Sequence, residues 1–282
     1  MEDCGKNKKN ELENLYKYCD TKAAKAILLN STIRFSHPSF FNDPYDAVPP
    51  HDVINGDEKL SKDFLNELAN NNTVMNSFSQ NNLVKIKQEI KEGTYSDLNK
   101  AKKNITYECL SKIYESMGIL CLSEKKDNIL MWSHYADSHK GLVIAFNSNS
   151  YLFRSAIRVN YVKSRISLDP NQIFSNINNP NDNTCKKALD VFFSTKYIDW
   201  QYENELRIIK DIKSKCSDEP INEFDIIGVY LGCNMNILDE IFFINIIKTK
   251  FPSIKIYKAY TVINSFSLNF YEIACERLIS LK

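Results

Sequence analysis

Glycine is scarce in this chain, with seven residues in 282. Folds that wrap a phosphate in backbone need a glycine-rich turn between a strand and a helix. Neither that turn nor a regular βαβ alternation is found, which excludes Rossmann and P-loop architectures. An excess of one charge is lacking too: 36 basic against 35 acidic residues leave a formal +1. That balance gives no global footprint for nucleic acid or an anionic membrane surface. No stretch approaches the roughly 18 to 20 uninterrupted apolar residues of a membrane helix. The start, Met1-Glu2-Asp3-Cys4-Gly5-Lys6, has no apolar signal core, so a cytoplasmic protein is expected. The eight cysteines form no Cys-x-x-Cys pair, which excludes a zinc ribbon or redox dithiol. Several, such as Cys121 in Ile119-Leu120-Cys121-Leu122, sit in apolar runs and read as small buried hydrophobes. His134 and His139 miss the His-x-x-x-His spacing of zinc enzymes, and no metal is expected.

What is present is a 43% hydrophobic chain, enough for a sizeable core. Residues 1–11 are polar and read as disordered. Leu15-Tyr16-Lys17-Tyr18 reads as a short strand. A helix follows, capped by Asp20 or Thr21, with Ala23, Ala24, Ile27 and Leu28 on one face. Thr32 to Ser36 alternates as a half-buried strand, and Asn42-Asp43-Pro44 imposes a rigid turn. Between 51 and 117 the texture turns to Lys, Glu and Asn, with apolar residues at helical spacing, Phe64, Leu65, Leu68, Ile105 and Ile113 among them. This reads as a helical insertion in a core formed by 12–50 and 118–282. Strands are then expected at 119–123, 142–146, 157–161 by alternation, 204–210, 226–231, 254–261 and 266–272. Helices are expected at 129–137, about 186–194 and 237–250, with an Asn-rich loop at 171–183. The fold class is α+β with a mixed or antiparallel sheet.

Three segments crowd aromatics against ionisable or amide side chains: Phe41-Asn42-Asp43-Pro44-Tyr45-Asp46, Asn128 to Ala136 with Gly141, and Trp200 to Arg207. Such mixtures are costly to bury unless every polar group finds a partner, and three of them suggest one shared site. Period-two alternation in Tyr202 to Ile208 puts Glu203, Glu205 and Arg207 on one face, opposite Leu206 and Ile208. If partly buried, the trio ionises as a coupled set. Arg207 holds one carboxylate charged while repulsion raises the proton affinity of the other. Trp132 and Tyr135 lie three apart on a short helix and suit either a core anchor or a wall that stacks on a planar ring. His134 beside them reads as a helix-packing residue or a site member. Asp43 and Asp46 are placed to serve the turn or to orient Arg or Lys partners. Lys17, between two tyrosines, must reach solvent, an acid or a phosphate.

In this order the three segments resemble a bacterial family known as domain of unknown function 2971, from Leu15-Tyr16-Lys17-Tyr18 to about Gly232. The order of elements is similar to that of the ADP-ribosyltransferase-like fold, although a plain His-Tyr-Glu or Arg-Ser-Glu set is lacking. That resemblance implies a nucleotide-related enzyme with NAD as substrate, performing ADP-ribosyl transfer to a macromolecular acceptor or NAD glycohydrolysis, in an accessory or antiphage-defence setting. It casts Glu205, or else Glu203, as the catalytic carboxylate, with His134 and Tyr135 beside it. Lys17, Tyr18, Ser36, Asn42, Asp43, Trp132 and Arg207 would hold the dinucleotide. The alternative is a non-catalytic effector module whose polar-aromatic clusters are a structural network around a ligand or partner-protein pocket.

Overall fold

The computed structural model describes residues 14–48, 88, 92, 98–166, 168–174 and 183–273. The strands are β1 (Asn14–Cys19), β2 (Thr32–Ser36), β3 (Met117–Ser123), β4 (Leu142–Asn147), β5 (Ile157–Arg158), β6 (Asn160–Val162), β7 (Thr195–Tyr197), β8 (Glu205–Asp211), β9 (Cys216–Pro220), β10 (Ile226–Leu231), β11 (Lys255–Thr261) and β12 (Leu268–Glu272). The helices are α1 (Thr21–Asn30), α2 (Leu98–Glu115), α3 (Ile129–Tyr135), α4 (Pro170–Ile173), α5 (Thr184–Phe193) and α6 (Ile237–Lys250). The α+β reading with a largely antiparallel sheet holds. Ten strands form one sheet in the order β12-β11-β10-β4-β1-β3-β2-β9, with β8 on β3 and β5 on β8, while β6 and β7 pair apart from it. Among the described residues only β10 and β11 run parallel within that sheet, and α6 supplies the crossover that parallel neighbours require.

The sheet is not evenly knit. β1 pairs along its full length with β4, and β3 along its full length with β8. Between them β1 and β3 meet at one pair, Tyr16 with Ser123. This seam separates a β1–β4 half from a β3–β8 half, and β2 likewise meets β3 at one pair, Ser36 with Ile119. Lys17 stands at the opening, and its Nζ donates to the Cys121 carbonyl at 2.9 Å. That carbonyl would otherwise lack a ladder partner.

Alternation explains what each half buries. Leu15, Ile33, Leu120, Leu122, Ile144, Leu206 and Ile208 join α1 and α6, through Leu28, Phe243 and Ile247, in the main core. Tyr16, Tyr18, Val143 and Ala145 face α3, whose Met131 and Trp132 pack on them. Asp20 caps α1 by accepting from the Ala23 N–H at 2.6 Å, and Asn128 caps α3. After α3 the chain makes a tight return through Gly141. A Cβ there would stand 2.1 Å from the Cys19 carbonyl oxygen, so only glycine allows this approach.

Several boundaries differ from the sequence reading. The expected strand at 157–161 is two strands in different sheets: the Val159 N–H still bonds the Glu205 carbonyl in the β5–β8 register, whereas the Asn160 N–H turns to the Ser194 carbonyl and β6 runs beside β7. Part of the expected loop at 171–183 is the short α4. β3 begins at Met117, one residue inside the expected insertion. Leu110 and Ile113 of α2 pack on a second core with Phe192 and Phe193. Phe64, Leu65 and Leu68 lie outside the described residues, as does the polar start of the chain. Among the described residues no helix is long and apolar enough to cross a membrane.

Candidate functional site at the sheet seam

A cavity of about 250 Å³ opens at the seam, lined by Tyr16, Lys17, Tyr18, Phe41, Tyr135 and Glu203 among others. Its polar floor is a buried ion network. The Arg207 guanidinium, 0% exposed, is gripped from two sides. Its Nε and Nη2 donate to the two Glu205 oxygens at 2.8 and 2.9 Å. Its Nη1 and Nη2 donate to the two Asp46 oxygens at 2.8 and 2.7 Å. Nη1 also donates to the Phe193 carbonyl at 2.7 Å. Lys196 of β7 joins the acids together: its Nζ lies 2.5 Å from Glu203 Oε2, 3.2 Å from Glu205 Oε2 and 3.5 Å from Asp46 Oδ2. The Trp200 ring covers that ammonium at 4.8 Å.

Glu203 reaches this cluster by a route that alternation did not reveal. Residues Ile198–Glu203 form a 3-10 helix, not the start of the strand, and Asn204 then turns through the left-handed region at φ 45°. β8 begins at Glu205, so Glu205 and Arg207 share a strand face as expected while Glu203 arrives from the turn before it. Its position is fixed by backbone: Ser123 Oγ donates to the Glu203 carbonyl at 2.6 Å, and Asn128 Nδ2 to the Tyr202 carbonyl at 2.7 Å. Tyr135 donates its hydroxyl to Glu203 Oε1 at 2.6 Å and accepts from Asn42 Nδ2 at 3.3 Å.

Three carboxylates thus face two cations, and full ionisation would leave one uncompensated negative charge in a buried site. The two glutamates divide this load unequally. Burial pushes the Glu205 carboxyl up, but Arg207 and Lys196 outweigh it and hold it at about 2. Burial lifts Glu203 above the usual carboxylate range, and the charge of Glu205 adds to the rise against the pull of Lys196. Lys196 is held protonated by Glu205, Glu203 and Asp46 in spite of its burial. Burial, then the bond to Glu203, raise the Tyr135 phenol. Of the two glutamates, Glu203 is the one whose burial favours the protonated form, and Glu205 the one that its cations hold ionised.

The structure brings Lys17, Tyr18, Tyr135, Asn42, Glu203 and Glu205 to this cavity. Arg207 lies beneath it and touches no ligand space. Asp46 orients the arginine, whereas Asp43 accepts from the Tyr45 N–H at 2.9 Å and serves its own turn. Trp132 does not form a ligand wall: it is fully buried, donates Nε1–H to the Lys126 carbonyl at 2.7 Å and packs edge-on against Tyr18. His134 is exposed on the outer side of α3, its ring near Tyr135 and Tyr202. Ser36 lines a neighbouring depression of about 300 Å³ with Lys17 and Arg34. Among the described residues no His, Cys, Asp and Glu cluster is arranged to hold a metal ion.

Residues 131–208 match the family model described as Protein of unknown function (DUF2971). No curated protein and no solved structure matches the chain. The matched segment holds Tyr135, Lys196, Glu203, Glu205 and Arg207, so most of the ion network falls inside it. Lys196 is the residue that sequence reasoning missed. The signal was a lysine in the short polar run Ser194-Thr195-Lys196-Tyr197, just ahead of Trp200, and nothing local marks it as buried.

Proposed function

We propose that the seam cavity is the active site of a nucleotide-consuming enzyme that breaks the ribosyl–nicotinamide bond of NAD. The ribosyl carbon then passes to water or to an acceptor. The observation that carries this reading is the convergence of Glu203, Tyr135 and Lys196, from separate segments, on a cavity walled by Tyr16, Tyr18 and Phe41. Aromatic faces suit a planar ring, and carboxylate oxygens suit the hydroxyls of a ribose. As nicotinamide leaves with the electron pair of the C–N bond, positive charge grows on the sugar carbon, and a fixed carboxylate at that point lowers the barrier. Glu203 fits this role better than Glu205, because its partners are the Tyr135 hydroxyl and the Lys196 ammonium, whereas the buried Arg207 guanidinium holds both Glu205 oxygens from beneath. The incoming hydroxyl adds its oxygen to the carbon and gives its proton to Glu203. Lys17, which lines the cavity and bonds the Cys121 carbonyl, would supply the positive charge for a phosphate. The similarity of element order to the ADP-ribosyltransferase-like fold, and with it a defence role in a bacterium, belongs to the same proposal.

The test is nicotinamide release from NAD, alone and with cell lysate as acceptor. Glu203→Gln should lower turnover by about 100-fold or more, and Glu205→Gln should act chiefly on stability. Equal turnover in native protein and E203Q would remove Glu203 from the chemistry. A second reading has its own observation: both Glu203 oxygens and both Glu205 oxygens already have partners. A network so saturated also suits a non-catalytic ligand- or partner-binding module. NAD binding without nicotinamide release in any condition would favour it.

A further inference from the structure

Behind the ion network lies a second and larger cavity, of about 350 Å³, whose walls are Val48, Val162, Ile166, Phe192 and Tyr197. It shares Asp46 and Lys196 with the seam cavity, so the buried pair is the partition between the two. Its lining is apolar, but its rim carries Lys163 and Arg165, both exposed. Among the described residues neither meets a carboxylate. Arg165 donates to the Val48 carbonyl and lies over the Tyr45 ring at 5.9 Å. The acids near the rim are already engaged, Asp43 by the Tyr45 N–H and Asp46 by Arg207. Tyr45 and Tyr197 stand at the mouth, 69% and 49% exposed.

We infer that this cavity is a second ligand site, for a small aromatic or heterocyclic ring that carries an anionic group. Volume, walls and rim each contribute. A cavity of this size suits a mononucleotide-sized molecule. Apolar walls and two tyrosines favour a flat ring over a sugar or a metal ion. Two cations on one rim that meet no carboxylate among the described residues favour an anion, phosphate or carboxylate, over a neutral ligand. The inference does not depend on the seam chemistry, because the partition keeps the two ligands separate.

Isothermal titration calorimetry of the full chain with AMP, benzoate and adenosine tests it. AMP or benzoate should bind, adenosine should bind weaker by about tenfold or more, and the double variant Lys163→Gln/Arg165→Gln should lose a comparable factor. Both substitutions lie on the surface, so circular dichroism should show an intact fold. AMP binding favours a phosphate-bearing ligand, and benzoate binding a carboxylate. Adenosine as tight as AMP, no binding of either anion, or binding lost in E203Q but kept in the rim variant would overturn the inference. E203Q turnover reports on the seam alone, so failure of one site is distinguishable from failure of the other.

Discussion

Arg207 is the residue on which the buried chemistry depends. A guanidinium with no exposure is hydrogen-bonded to both Glu205 and Asp46, and removing one partner from such a buried set strands the others. Arg207→Met should cost about 3–5 kcal/mol at neutral pH, measured by urea unfolding. The pH dependence has a definite sign. Glu205 is held at about 2 against an ordinary 4.5, so its stabilising contribution is complete above 4.5 and is lost as pH falls toward 2. The variant, having lost the pairing, should lack this acid limb, and its deficit should narrow in acid. A deficit independent of pH would show that the arginine acts by packing alone. Sequence pattern made Glu203, Glu205 and Arg207 visible as a coupled set, because charges flanked by Leu206, Ile208 and aromatics have few ways to be exposed. It could not separate the two glutamates. Their difference comes from Lys196 and Asp46, which lie far from the strand and reach it only through tertiary contact.

At the scale of elements, alternation identified most of the strands and helical spacing the longer helices, since both are local effects, but the short polar strands β7 and β9 were not expected. Alternation failed at Tyr202 to Asn204, where a 3-10 turn and one left-handed residue replace the first part of an apparent strand. Asn204 suits φ 45° better than other side-chain-bearing residues, and its Nδ2 bonds the Tyr202 carbonyl at 3.0 Å. Asn204→Gly should stay within about 1 kcal/mol of the native protein. Asn204→Val places a β-branched residue in the left-handed region and should cost about 1–2 kcal/mol or more. It should also pull Glu203 away from Tyr135 and Lys196, so turnover or NAD binding should fall further than stability does. Urea midpoints for both variants, read beside activity, check this. Equal stability of the two would mean that the turn is not held in this conformation.

At the scale of the whole molecule, the seam was the feature that no local signal announced: strand content is written in alternation, but which strands part company is decided by what packs beneath them. The cavity owes its existence to that parting, which raises the question whether the two halves of the sheet unfold separately. The core argues that they do not. Leu15 and Ile144 from one half and Leu120, Leu122 and Leu206 from the other are buried in a single cluster, and the hydroxyl of Tyr135, on the helix that packs on β1, is bonded to Glu203 just ahead of β8. Two tryptophans report on the halves independently: Trp132 packs against Tyr18 of β1, and Trp200 lies over Lys196 beside the start of β8. In Trp200→Phe the remaining fluorescence follows the β1–β4 half, and in Trp132→Phe it follows the β3–β8 half. Each variant should show one fluorescence midpoint coincident with its own far-ultraviolet circular dichroism midpoint, as a cooperative transition requires. Using each variant as its own reference removes the destabilisation that loss of the buried Trp132 brings. If the fluorescence midpoint of either variant precedes its dichroism midpoint, the seam is a boundary between separately unfolding units, and the cavity then opens without global unfolding.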